Sequence, residues 1–76
     1  MENPETAFWR AVAARAWADA LNEIPSRDRN EARRWLTGFS SDFRIVCHLA
    51  NFDPESLLAR AREMERRDWP SSRRAA

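Results

Sequence analysis

Apolar residues return every three or four positions along most of this chain, in four blocks separated by Pro25, Gly38 and Asn51. In the first block Trp9, Ala13, Ala16, Trp17, Ala20, Leu21 and Ile24 form one stripe, which Phe8 and Val12 widen. That spacing predicts an amphipathic helix. Asn3 supplies an N-cap, and Pro4 takes the first helical position, where a missing N–H is not needed. Glu5 sits in the positive first turn. Nothing interrupts the pattern before Pro25, so the first helix is expected to reach Ile24, about 20 residues and roughly 30 Å. Arg15 and Asp19 stand one turn apart on its polar side.

Pro25 turns its neighbour away from the helical region and ends that block. Ser26 or Asp28 can cap a second helix, and Asp28 with Glu31 has capping-box spacing. This helix is expected to end at Thr37, with Gly38 as the left-handed residue after it. Ala32, Trp35 and Leu36 are its apolar positions, whereas Arg27, Arg29, Arg33 and Arg34 populate its other faces. Ser40 or Ser41 then caps a short helix, Asp42 to Ala50. There Phe43, Val46, Cys47 and Ala50 fall on one face, with Ile45 and Leu49 on the flank, which predicts a rod largely surrounded by protein. Asn51 tolerates the left-handed conformation. Asp53 and Pro54 repeat the cap-then-proline start, opening a fourth helix to about Asp68 with Leu57, Leu58, Ala61 and Met64 as its buried edge. Glu63 and Arg67 are an expected exposed pair. Trp69–Pro70 marks the stop.

The fold class is therefore all-α: a single four-helix domain over residues 1–70, followed by a loose basic tail, 71–76. Composition agrees, with thirteen Ala, one Gly and no Tyr beside two Val, two Ile and two Thr. Such a mixture favours helices over strands. Seventy-six residues bury only about 60% of the surface the unfolded chain exposes, so a partner or self-association often supplies further burial.

Cysteine and histidine narrow the chemistry. One Cys excludes an internal disulfide, and one Cys with one His leaves too few ligands for a structural zinc site. No apolar run reaches about 18 residues, so no membrane span is expected. The beginning, MENPETAF, lacks the basic and apolar regions of a signal peptide, which points to the cytoplasm. Cys47 and His48 point about 100° apart on a helix and do not form a nucleophile–base pair; Cys47 reads as a packing residue and His48 as a surface or boundary residue. The acids are dispersed among arginines, and the lone Gly38 excludes a glycine-rich phosphate loop. Neither an enzyme nor a cofactor is expected.

All thirteen basic residues are Arg, and the formal net charge is +1. Arginines are outnumbered four to two by acids in residues 1–26 but exceed them, five to four and six to four, in 27–53 and 54–76. The basic side thus belongs to the later helices. Arg has a planar fork of donors suited to phosphate and carboxylate.

The segment 42–68 places two short helices around the turn Asn51-Phe52-Asp53. A helix-turn-helix needs a left-handed or small residue at the turn, a small residue four positions earlier and apolar residues on both helices. Asn51, Cys47, Phe52, Val46, Ala50 and Leu57 meet those needs, with Asn in place of the usual Gly. Arg60 stands where a second apolar residue is usual, a role Ala61 and Met64 can take. An ordinary helical hairpin shows much the same periodicity. In a recognition helix starting at Pro54, Glu55 and Ser56 fall among the early exposed residues, and Glu55 is suited to a cytosine amino group. Phosphate contacts would come from Arg44, Arg60, Arg62, Arg66, Arg67 and the Arg27–Arg34 cluster.

The stretch DFRIVCHLANFDPE resembles the DNA-engaging part of phage-type regulators and of small terminase subunits, including those of gene-transfer-agent particles. The resemblance implies recognition of double-stranded DNA in transcription control or DNA packaging. Terminase-like function further implies a ring oligomer, with the first helix as its natural assembly surface. The alternative is a non-enzymatic adaptor or inhibitor that docks through the first helix. The aromatic residues suffice for a compact core, and Phe8, Trp9, Trp17 and Trp69 are the candidates for a surface shared with a partner or a second copy.

Overall fold

A computed structural model describes residues 3–69. Among these residues it contains four α-helices and no strand, namely α1 (Pro4–Ala20), α2 (Arg27–Gly38), α3 (Ser41–Leu49) and α4 (Pro54–Arg66). The basic tail expected at 71–76 and the terminal Pro70 of the stop lie outside the described residues.

Each helix begins on a side chain that satisfies an otherwise unpaired backbone donor. Asn3 accepts from the N–H of Glu5, Ser26 from Arg29, Ser40 from Phe43 and Asp53 from Ser56. Ser26 rather than Asp28 caps α2, and the Asp28–Glu31 box does not form; Glu31 instead accepts from Arg27 at 3.0 Å.

The helix ends depart more from expectation. α1 stops at Ala20, short of Ile24, where the Asn22 N–H tightens onto the Asp19 carbonyl at 3.2 Å and the Asn22 side chain accepts from the Ile24 N–H at 2.9 Å. Ile24 consequently lies outside the stripe it was expected to extend and is 67% exposed. Gly38 stays helical, and Phe39 takes the left-handed position with φ 50°. A bulky residue is disfavoured there. The Phe39 ring offsets that cost by packing 6.1 Å from the Phe43 ring and beneath the Arg44 guanidinium.

α3 and α4 end with the same hydrogen-bond pattern. Asn51 and Asp68 both have positive φ, 61° and 60°, and after α4 Trp69 is left-handed as well, φ 49°. After α3, the N–H of Asn51 reaches the His48 carbonyl and that of Phe52 reaches the Cys47 carbonyl at 2.8 Å. After α4, Asp68 reaches Glu65 and Trp69 reaches Met64 at 2.7 Å. Both are Schellman closures, in which the chain reverses after a left-handed residue and an aromatic side chain follows. α4 thus closes at Arg66, two residues before the expected Asp68.

α1 and α4 both pack on α2 and α3 but not backbone to backbone on each other. Phe43, Leu36 and Cys47 are the largest fully buried side chains. Ala20, Ala32 and Ala61 let the helices approach them closely, and Trp17, Leu21, Trp35, Phe52, Leu57 and Met64 surround that centre. Trp35 stacks edge-on to Phe43 at 5.0 Å while its indole N–H donates to Asp42 at 2.9 Å, joining α2 to α3. Ile45, on the α3 flank expected to be surrounded, is 58% exposed, and Phe8, which widens the α1 stripe in sequence, is 59% exposed. The Arg15–Asp19 pair forms at 3.3 Å, but Glu63 pairs with Arg66 instead of Arg67.

Candidate nucleic-acid interface

The turn between α3 and α4 is held from three sides. The Schellman closure uses the Cys47 carbonyl. Arg10, on α1, donates its Nε–H to the Ala50 carbonyl at 2.8 Å, and its guanidinium lies 5.3 Å from the centre of the Phe52 ring. A cation at a helix C-terminus opposes the negative end of the dipole and pairs a carbonyl the helix leaves open. Beyond the turn, Asp53 accepts from both the hydroxyl and the backbone N–H of Ser56, at 2.6 and 3.2 Å. The Ser56 hydroxyl bond, with backbone N–H groups of Ser56 and Glu55, holds the Asp53 carboxyl below its ordinary range. α4 therefore starts from a charged cap locked onto its first turn.

The exposed side of α4 carries the basic residues on two flanks. Arg62 and Arg66 share one flank with Glu55, lining a groove of about 440 Å³ together with Phe39, Leu58 and Ala59. Arg44, on α3, lies over the Phe39 ring of that lining, its guanidinium 5.4 Å from the ring centre. Arg60 borders a second groove, of about 260 Å³, between α4 and α1. Arg67 follows the last turn as the C-cap. The side chains of Arg60, Arg62 and Arg67 are exposed and make no hydrogen bond or ion pair with another described residue. Arg66 is engaged by Glu63, and the Ser56 hydroxyl is engaged by Asp53. In the Arg27–Arg34 cluster, Arg27 is paired with Glu31, Arg29 reaches the Asn22 and Glu23 carbonyls at 3.4 and 3.3 Å, and Arg33 reaches Ala20. The arginines without such engagements thus lie on α4 and at its C-cap, with Arg34 on α2.

The four aromatic candidates for a shared surface separate. Phe8 is exposed and meets Trp9 edge-on at 5.1 Å. Trp17 packs against the core and Trp69 is part of it, 7% exposed, their rings 6.5 Å apart. Trp69 thus fills the domain's own interior, because the Schellman closure after α4 folds it back onto Met64.

Cys47 is fully buried while the neighbouring His48 is exposed. Burial, reinforced by the Asp53 charge, pushes the Cys47 thiol up and keeps it protonated and unreactive. The described residues contain no cluster of His, Cys, Asp and Glu able to hold a metal ion, and no helix among them is long and apolar enough to cross a membrane.

Two bracing roles escaped the sequence reading, which did not single out Arg10 and took Arg33 only as one of a basic cluster. Arg10 and Arg33 each brace the end of another helix. Their signal was register, since Arg10 stands in step with Ala13, Ala14 and Trp17, and Arg33 with Arg29 and Leu36. An arginine in the core-facing register has a reason to be there.

Comparison of the chain with protein-family models, curated proteins and solved structures finds no match.

Proposed function

We propose that this is a small, cytoplasmic DNA-binding accessory protein of phage type, acting in transcription control or DNA packaging, with α3 and α4 as its helix-turn-helix unit. The observation that carries the reading is the placement of Arg60 and Arg62 on α4 and Arg67 at its C-cap, exposed and with uncommitted side chains, beyond a braced left-handed turn. Arginines on both flanks of one helix suit the two phosphate backbones that border a major groove. Arg44 adds a further phosphate contact from α3. Arg66 exchanges Glu63 for phosphate on binding. Glu55, in the first turn of α4, accepts from a cytosine amino group, and the Ser56 hydroxyl, donating to Asp53, still accepts from a base or sugar.

Electrophoretic shift with duplex DNA tests this reading. Wild-type protein retards the duplex at low salt, whereas Arg60→Ala/Arg62→Ala/Arg67→Ala does so only at markedly higher protein concentration with helical content unchanged. A triple variant that binds as well as wild type would move the DNA surface elsewhere.

A further inference from the structure

The groove between α1 and α4 is not explained by DNA binding. Its floor is apolar, formed by Ala13, Trp17, Phe52 and Leu57, and its rim carries Ala14 with Arg10 and Arg60. No acidic residue lines it. Such a recess fits an apolar side chain accompanied by a carboxylate. The same chain exposes a side chain of that kind. Phe8 is 59% exposed, held edge-on against Trp9, and Glu5 stands one turn before it on the same face of α1. At 100° per residue, Phe8 lies about 120° around α1 from Ala14 and about 160° from Arg10. It therefore cannot fold into its own groove.

We propose that the groove receives Phe8 of a second copy of this chain, with that copy's Glu5 facing Arg60. Charge complementarity favours this occupant, because residues 1–26 carry four acids against two arginines while both charged residues lining the groove, Arg10 and Arg60, are basic. The contact is head-to-tail. Each pairing leaves one groove and one Phe8 unused, so assembly continues until it closes into a ring or grows open-ended. The inference shares Arg60 with the DNA reading, but its test substitutes Phe8 and Ala14 and uses no DNA, so the two can fail separately.

The test uses sedimentation velocity on the full chain, alone and in mixtures. Wild type associates with rising concentration, and Phe8→Ala and Ala14→Glu each weaken that association about tenfold or more. Both positions are exposed, and circular dichroism should show unchanged helix. Mixing the two variants is decisive. Phe8→Ala keeps an intact groove and Ala14→Glu keeps an intact Phe8, so the mixture forms a one-to-one dimer and stops there. A wild-type chain that stays monomeric throughout overturns the proposal, as does association that survives both substitutions. A mixture that fails to pair also overturns it, because a symmetric contact would then be responsible. A partner protein captured by the groove in place of a second copy would appear as a monomeric chain and counts against the proposal.

Discussion

The ends of α3 and α4 are built alike and used differently. At each, a left-handed residue reverses the chain, an aromatic side chain follows, and the guanidinium of an arginine from another helix covers that ring. Arg10 covers Phe52 and bonds the end of α3; Arg33 covers Trp69 at 5.2 Å and bonds the Ala20 carbonyl at the end of α1 at 2.8 Å. Burial lowers the Arg33 pKa, helped by Arg29 and opposed by Asp68, yet an arginine so placed keeps its charge. The contrast lies in what surrounds the ring. Trp69 is sealed in the core, whereas Phe52 stays half-buried on the floor of an open groove. One local device closes the domain at one end and holds a surface open at the other.

The sharpest way to break that comparison is to remove each aromatic. Trp69→Ala should lower unfolding stability by about 3–5 kcal/mol, the usual cost of emptying a buried aromatic site. Phe52→Ala should cost about 1–2 kcal/mol, because less apolar surface returns to water. Urea denaturation measures both; equal losses would mean that the two ends are equally core. The arginines come next. Arg33→Ala and Arg10→Ala each leave the carbonyl of a fully buried alanine, Ala20 or Ala50, without its donor, and each should cost about 1–2 kcal/mol. A loss confined to one of the two variants would place the clamp at that end alone.

Gly38 sharpens the picture of a third helix end. Because it is helical and a Cβ there would meet nothing within 4 Å, Gly38→Ala should stabilise the protein by about 0.5–1 kcal/mol. Loss of stability on thermal melting would mean that Gly38, rather than Phe39, needs left-handed freedom. The smallest effect concerns the α4 cap. The folded Asp53 pKa is depressed, so its contribution is fully present above the unfolded value and disappears as pH falls through the folded one. Ser56→Ala should therefore destabilise the protein by a constant amount above the ordinary carboxylate range, and that deficit should shrink as pH falls, as pH-resolved denaturation would show.

Four helices and their caps were legible because each signal is local. Asn3-Pro4 and Asp53-Pro54 announce helix starts within a few residues, and Asn51 announces its turn. Helix ends were less legible where tertiary packing decides them. Phe39 displaces Gly38 from the left-handed position because its ring has Phe43 and Arg44 to pack on, and neither contact is visible in a local window. Trp69 looked terminal and free, yet the Met64 carbonyl and the Trp17 ring draw it inward. At the candidate interface the sequence supplied the arginines but not their commitments. Arg66 and Arg27 resemble Arg62 until Glu63 and Glu31 are seen to hold them.

Ion-dependent DNA affinity tests the central claim most directly, namely that free arginines on α4 meet a phosphate backbone. Fluorescence anisotropy of a labelled duplex, titrated with wild type and with Arg62→Ala/Arg67→Ala across a salt series, gives the slope of log affinity against log salt. The account predicts a steep negative slope for wild type, made shallower by about 2 in the double variant, one phosphate contact for each arginine. Identical slopes for the two proteins, or no binding by wild type at low salt, would contradict it.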